Sequence, residues 1–303
     1  MNSNDKYLIV VAGPTAIGKS DLSIALAKEF DCEIISADSR QFYKEMSIGT
    51  AKPSVEEMQN IPHHFVGNIS IEDPYNVGKF EQEAIATLNH LFKKKDVAIM
   101  VGGSGLYINA VLYGLDDLPQ NDPETRAYLE KNYQESGLIW LQEKLKEVDP
   151  QYFATAELNN TNRIMRAIEV SMITGLPYSQ QLNKKTTKRT FKTIFIVLNT
   201  DRENLYNKIN LRVDKMMDAC LLNEVKNLLP HKNNNALNTV GYKELFEHLS
   251  GSCSLENAVD SIKQNSRRYA KRQVTWFKKN KEAKWFEPTD KEGIVKFIKD
   301  SLH

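Results

Sequence analysis

Apolar positions along this chain follow two periods. Residues 7–12, YLIVVA, form a short continuous apolar run ending at glycine, the pattern of a parallel strand covered on both faces. GPTAIGKS follows at 13–20, and an alanine- and leucine-rich stretch then runs to Phe30 with helical character. EIISAD at 33–38 predicts a second strand. Residues 80–92 place Phe80, Ala84, Ile85, Leu88, Leu91 and Phe92 on one helical face, and VAIMV at 97–101 predicts a third strand leading into GGSGLY. Strand, helix, strand, helix, strand is the grammar of a doubly wound α/β sheet.

The rhythm breaks in the middle. From about Leu118 to Arg189 the chain is polar with helical period, Pro119, Pro123 and Pro150 mark boundaries, and no strand pattern occurs. A strand pattern returns as TIFIVL at 193–198, and the C-terminal third is helical again. The expected organisation is a sheet domain of residues 1–117 and 190–303 interrupted by a helical domain, 118–189. Internal repeats and low-complexity tracts are absent.

Composition adds one correction to this picture. The 303 residues hold 40 Lys+Arg and 39 Asp+Glu, a formal net charge of +1, which gives no hint of a nucleic-acid partner. The charges are segregated, however. Between 261 and 285 stand Lys263, Arg267, Arg268, Lys271, Arg272, Lys278, Lys279, Lys281 and Lys284 against a single acid, Glu282. Lys184, Lys185, Lys188, Arg189 and Lys192 fill a second stretch without any acid, so the remainder of the chain is net acidic. Cys32, Cys220 and Cys253 lie far apart with no CxxC pair, which argues against a disulfide framework or a zinc site. The start, MNSNDKYLIVVAG, lacks the basic region of a signal peptide, and its apolar run is too short for a membrane span; a cytoplasmic protein is expected.

Gly13, Pro14, Thr15, Ala16, Ile17, Gly18, Lys19 and Ser20 fit GxxxxGK[ST] in full, with a strand pattern before and a helix pattern after. Backbone N–H groups of such a loop form an anion nest at a helix N-terminus, with Lys19 on phosphate and Ser20 reaching Mg²⁺. The expected fold class is therefore α/β, a P-loop NTPase-like parallel sheet with flanking helices and an inserted helical domain. Most such enzymes hold the metal with an acid at a later strand end, yet the third strand ends VGGSG without one. The carboxylate at a strand end is instead Asp38, in SADSRQFY, on the sheet edge where ligands bind. It reads as a general base, a helix N-cap or a water-mediated metal ligand. GGSGLY is a second glycine-rich turn, weak alone. His63 and His64 are adjacent rather than spaced for a metal, and carry no assigned role. Arg212, which opens a helical stretch with Val213, Met216 and Met217 as core, is either solvated or a clamp on phosphate. The run with Tyr269, Trp276, Phe277, Trp285 and Phe286 interleaved is either a solvated face or a phosphate-backbone contact.

GPTAIGKS, SADSRQFYKEMSIGTAKP (36–53), IPHHF (61–65), GGSGLY, NRIMRAIEV (162–170), RVDKMM, VGYKE (240–244) and KRQVTWFKK (271–279) occur in that order. In these segments the chain resembles bacterial tRNA dimethylallyltransferases from the phosphate loop to about residue 279. The resemblance implies transfer of a dimethylallyl group from dimethylallyl diphosphate to N6 of adenosine 37, beside the anticodon of tRNA. It implies that residues 13–20 hold the diphosphate, that Thr15, Lys19, Arg212 and Mg²⁺ on Ser20 steady it as it departs, and that Asp38 is the base. It further implies tRNA contacts at Asp38, Ser39, Arg40, Gln41, Ser104, Arg126, Asn162, Arg163, Ile164, Met165, Arg166, Gly241, Tyr242 and Lys243, with residues 118–189 gripping the anticodon stem-loop of a tRNA bound by a monomer. Ser104 stands where the family usually has threonine, and Cys220 where glycine is commoner; the zinc-finger extension of eukaryotic relatives is absent.

Three other readings compete. An adenylate isopentenyltransferase would need neither the helical insertion nor the basic run. A small-molecule kinase sits poorly with VGGSG, and a non-catalytic RNA-binding protein would not be expected to keep Lys19, Ser20, Asp38 and Arg212.

Overall fold

The computed structural model of the chain describes residues 5–182 and 187–302. Lys184 and Lys185 of the second basic stretch lie outside them. Two compact units are present, Met1–Tyr113 with Lys188–His303, and Gly114–Thr187.

The first unit begins with β1 (Tyr7–Ala12), α1 (Lys19–Glu29), β2 (Ile34–Ser36), β3 (His63–His64), α2 (Val77–Leu91), β4 (Val97–Gly102) and α3 (Gly105–Tyr113). The second holds α4 (Pro123–Val148), α5 (Pro150–Phe153), α6 (Thr161–Thr174) and α7 (Tyr178–Gln181). The chain then returns to the first through β5 (Lys192–Leu198), α8 (Arg202–Asp218), α9 (Leu221–Asn227), α10 (Tyr242–Leu249), α11 (Leu255–Phe277), β6 (Lys284–Phe286) and α12 (Lys291–Ser301).

All strand pairs are parallel, in the order β3-β2-β4-β1-β5-β6. The continuous apolar run of β1 is explained by its central place. Tyr7, Ile9 and Val11 enter one core with Leu22 and Leu26 of α1, Ile209 of α8 and Ile294 of α12. Leu8, Val10 and Ala12 enter another with Phe80 and Leu88 of α2 and Val111 of α3. Side chains that alternate along a strand thus fill both sides of the sheet. Ala12 is level with Gly102 on one side and Val197 on the other, so the loops after β1, β4 and β5 leave from one edge.

A third core, formed by α8 to α11, packs beneath the 43–71 segment, with Tyr43, Met46 and Ile71 against Val213, Val225, Tyr242, Leu245 and Ile262. The sequence pattern differs from this fold in several places. The strand expected over 33–38 is three residues long, because Asp38 already opens a turn closed by Gln41 N–H on its carbonyl at 3.1 Å. His63 and His64 form an edge strand on β2, and β6 lies inside the basic run; strands of two or three residues carry no readable alternation. Arg212 does not open its helix. It lies inside α8, which begins after Asp201 caps the Asn204 N–H.

In the second unit, α4 is broken at Gly137, where φ is +74°. Leu129, Leu141 and Leu145 pack on Ile164, Met165 and Ile168. Two buried carboxylates stitch it together. Asp149 accepts the Tyr152 N–H and both the N–H and hydroxyl of Ser179, and Glu169 accepts from Asp122 N–H and Arg166. Buried charges persist where such partners are supplied. Among the described residues no helix is long and apolar enough to cross a membrane.

Candidate active site

The loop after β1 turns through Gly18, at φ +97°, into α1, whose first N–H groups meet no capping side chain. By contrast α2, α4 and α6 are capped by Asn76, Asp122 and Asn160. An uncapped helix start with a lysine at its first position is an electropositive cradle. Lys19 Nζ donates to Pro14 O at 2.7 Å. Burial lowers its pKa to about 8; the charge of Asp38 pulls it up and that of Arg212 pushes it further down. Burial also lowers the Arg212 pKa, again with Asp38 opposing. These two cations and one carboxylate share a field although they come from α1, α8 and the turn after β2. The Ser20 side chain belongs to the same helix start and is exposed.

Asp38 itself accepts the Arg40 N–H at 3.0 Å on Oδ1, an Asx-type turn rather than a helix cap. Arg40 donates to the carbonyls of Asn235 and Ala236, and Gln41 to those of Thr50 and Ala51. Ser39 N–H and hydroxyl both meet the Ser104 hydroxyl at 3.1 Å. The DSRQ stretch is therefore pinned on three sides, with the carboxylate of Asp38 in the field of the two cations.

The turn after β4 is glycine-rich for a different reason. A Cβ at Gly103 would stand 2.2 Å from Gln273 Nε2, and one at Gly105 would stand 2.2 Å from the Trp276 ring. Both intruders belong to α11. Gln273 accepts the Thr15 N–H at 2.9 Å and donates to Gly103 O at 3.0 Å, so one buried amide ties the phosphate loop to the second turn. Tyr269, one helical turn earlier, brings its hydroxyl to Ser104; burial and the nearby Asp38 push it up to about 12. Sequence reading did not single out Gln273. Its signal was a polar residue between the buried positions Ala270 and Phe277 on one helix face.

The other sequence-predicted residues fall into two classes. Asn162, Arg163 and Lys243 are exposed, and Arg126 pairs with Glu130 at 2.8 Å. The side chains of Ile164, Met165 and Tyr242 lie in cores and reach no outside partner, and Arg166 is held by Glu169 and Pro119 O. Arg189, read as part of a basic RNA-facing stretch, instead pairs with Glu81 at 2.6 Å and donates to Ala110 O. Lys188 is exposed, and Lys192 pairs with Asp5. The long basic run is sorted the same way. Lys263 pairs with Asp214 and Arg267 meets Asn210, whereas Arg268, Lys271 and Arg272 are exposed at helical spacing on α11, followed by Lys278 and Lys279. That stripe spans about 16 Å along the axis.

Residues 41–280 match the family model described as IPP transferase. A tRNA dimethylallyltransferase of Christiangramia forsetii is 52% identical over 98% of this chain and 99% of its own length. One of Flavobacterium johnsoniae is 50% identical over 98% of each. The solved tRNA isopentenylpyrophosphate transferase of Bacillus halodurans superposes with a TM-score of 0.73 at 35% identity, covering 98% of this chain and 97% of that one. A eukaryotic dimethylallyltransferase solved acting on tRNA gives 0.80 at 28% identity, over 94% of this chain and 75% of that one. With a family match across most of the chain and relatives aligned along nearly their whole length, the chain belongs to the IPP transferase family.

Proposed function

We propose that this chain transfers a dimethylallyl group from dimethylallyl diphosphate to N6 of the adenosine at position 37 of tRNA, releasing diphosphate, as a cytoplasmic monomer. The observation that carries the reading is the placement of Asp38 in the field of both Lys19 and Arg212. A kinase needs its cations on a transferring phosphoryl group. Prenyl transfer needs them on a departing diphosphate, with a carboxylate close by to take a proton from the incoming amine.

In this reaction the adenosine leaves its stack to reach the site. N6 attacks the allylic carbon of the donor, the C–O bond to diphosphate breaks with its electron pair leaving on oxygen, and the N6 proton passes to Asp38. Lys19 and Arg212 neutralise the charge that grows on the leaving oxygens, and the Thr15 hydroxyl and the uncapped N–H groups at the start of α1 hold them. Mg²⁺ fits this donor set in a limited way. Among the described residues no cluster of three or more His, Cys, Asp or Glu could hold a metal, and the exposed Ser20 hydroxyl is the side chain that would hold the ion together with the substrate's phosphate oxygens. When bound, the ion supplies further charge neutralisation to the leaving group.

For tRNA, the exposed side chains of Asn162, Arg163 and Lys243 and of the stripe Arg268, Lys271 and Arg272 meet phosphates and splayed bases, Arg163 by leaving its exposed pairing with Glu157. Ser39 and Ser104, bonded to one another beside Asp38, act from the turns after β2 and β4. Ile164, Met165 and Tyr242 contribute by holding their neighbours in place, and Arg126 and Gly241 through local geometry. The second unit grips the anticodon stem-loop.

The test is incubation of purified protein with Mg²⁺, dimethylallyl diphosphate and tRNA bearing adenosines at and flanking position 37. Mass spectrometry of the digested nucleosides is expected to find N6-dimethylallyladenosine. Modification of AMP but not tRNA would indicate the nucleotide-prenylating reading, and phosphate transfer from ATP the kinase reading.

A further inference from the structure

In the turn 47–51, SIGTA, one carbonyl is shared by Arg212 and Gln41. Thr50 O accepts Arg212 Nη2 at 3.1 Å and Gln41 Nε2 at 3.2 Å. The Thr50 hydroxyl closes back on Met46 O at 2.9 Å, so this carbonyl is fixed by the shape of its own turn.

What fixes the turn is a carboxylate far away in sequence. Glu224 of α9 accepts the N–H groups of Ser47 and Ile48 on Oε2, at 3.0 and 2.7 Å, and of Gly49 on Oε1 at 3.0 Å. The Tyr242 hydroxyl donates to the same Oε1 at 2.6 Å. Four donors converge on one side chain, an anion nest occupied by the protein's own carboxylate. The Tyr242 ring is fully buried and packs against the turn: a Cβ at Gly49 would stand 2.5 Å from it. Glycine at 49 is thus demanded by contact. Burial and Glu224 together keep the Tyr242 hydroxyl protonated, and so a donor.

We propose that Glu224 and Tyr242 are positioning residues for diphosphate departure, acting through the 47–51 turn to aim the Arg212 guanidinium at the leaving group. This rests on Arg212 being the diphosphate clamp of the proposed reaction. An arginine on a long stem has many rotamers, and a fixed carbonyl on one nitrogen selects among them before substrate arrives. Neither Glu224 nor Tyr242 touches substrate.

The experiment is a double-mutant cycle between Glu224→Gln and Arg212→Ala, read by calorimetric binding of Mg²⁺–dimethylallyl diphosphate and by single-turnover prenylation of tRNA. Glu224→Gln puts an amide N–H where donors converge. It is expected to slow turnover about 10- to 100-fold in the native background. With Arg212 already removed, it is expected to change binding and turnover by no more than about twofold. Tyr242→Phe, which removes one hydroxyl and leaves the ring, is expected to give a loss of about three- to tenfold with the same dependence on Arg212. Full losses in the Arg212→Ala background would overturn the proposal, since a general structural defect adds whatever residue 212 is. Native-like turnover in both variants would overturn it as well. If Glu224→Gln does not fold, Tyr242→Phe carries the cycle alone. The binding arm uses no tRNA, so it reports on the coupling even if the prenylation reading fails.

Discussion

Two glycine-rich turns leave the same edge of the sheet, one after β1 and one after β4, and they spend their glycines differently. The first bends through Gly18, where an added Cβ would meet nothing within 4 Å, into a helix start with no capping side chain. The second is crowded: Gln273 and Trp276 of α11 occupy the space that side chains at 103 and 105 would need. The first turn is packed at Gly13, against Leu198 O, and held by α11 at the Thr15 N–H, but stays open at Gly18, where α1 begins; the second gives its surface to α11. Similar composition and the same address therefore do not imply the same task, and what separates Gly18 from Gly103 and Gly105 is the presence of a packed neighbour.

The largest expected effect lies on the open turn. Asp38→Asn should reduce single-turnover prenylation by about 10²- to 10⁴-fold. Affinity for the diphosphate ester should hold or tighten, because a negative charge beside Lys19 and Arg212 has been removed; equal losses in both would assign Asp38 to binding. Next comes pH. The Lys19 pKa sits near 8 in the free protein and is raised by a bound anion, so the site is fully protonated below that value. Affinity for dimethylallyl diphosphate should be flat below pH 8 and fall as pH rises above it, by up to about tenfold per unit. A flat profile to pH 9.5 by calorimetry would remove Lys19 from the phosphate contact.

Smaller effects sharpen the contrast between the turns. Gly105→Ala should lower stability by about 1–3 kcal/mol through overpacking against Trp276, seen as a lower unfolding midpoint. Gly18→Ala meets no steric neighbour, costs only backbone strain of about 1–2 kcal/mol, and should weaken diphosphate binding more than Gly105→Ala does. The reverse ranking would exchange the roles of the turns. The smallest effect on the site itself concerns the arginines and lysines. Arg189→Ala should destabilise by about 1–3 kcal/mol and leave the salt dependence of tRNA binding unchanged, since its partners are Glu81 and Ala110. Lys271→Ala should do the opposite, leaving the midpoint in place and reducing the salt slope by about 1.

Long, strongly patterned elements were readable from the chain. β1, β4 and β5 are central strands whose uninterrupted apolar runs announce burial on both sides, and the phosphate loop follows from residue types alone. Asp38 stood out as the carboxylate at a strand end and Arg212 as a candidate clamp, the resemblance of the motifs gave both a role, and the fold brings both into the field of Lys19. Other features were not readable because they depend on contacts across long stretches of sequence. His63–His64 pair with β2 only because that edge is open. Arg189 looks like a solvent cation until Glu81 is beside it. Tyr242 carries a motif that the resemblance assigns to RNA, yet its ring is buried under Gly49. Gln273 looks like one polar residue in a basic helix until Thr15 and Gly103 are seen to share it.

That last contact ties assembly to synthesis. The phosphate loop lies at the beginning of the chain, yet the amide that fixes Thr15 comes 258 residues later. At about 5–20 residues per second, a ribosome that has finished the loop needs about 13–50 s more to make its clamp. Through that interval a nascent chain has the nucleus of the anion cradle without the brace that closes it. A chain interrupted before α11 would carry the phosphate loop and Asp38 without the amide that fixes Thr15.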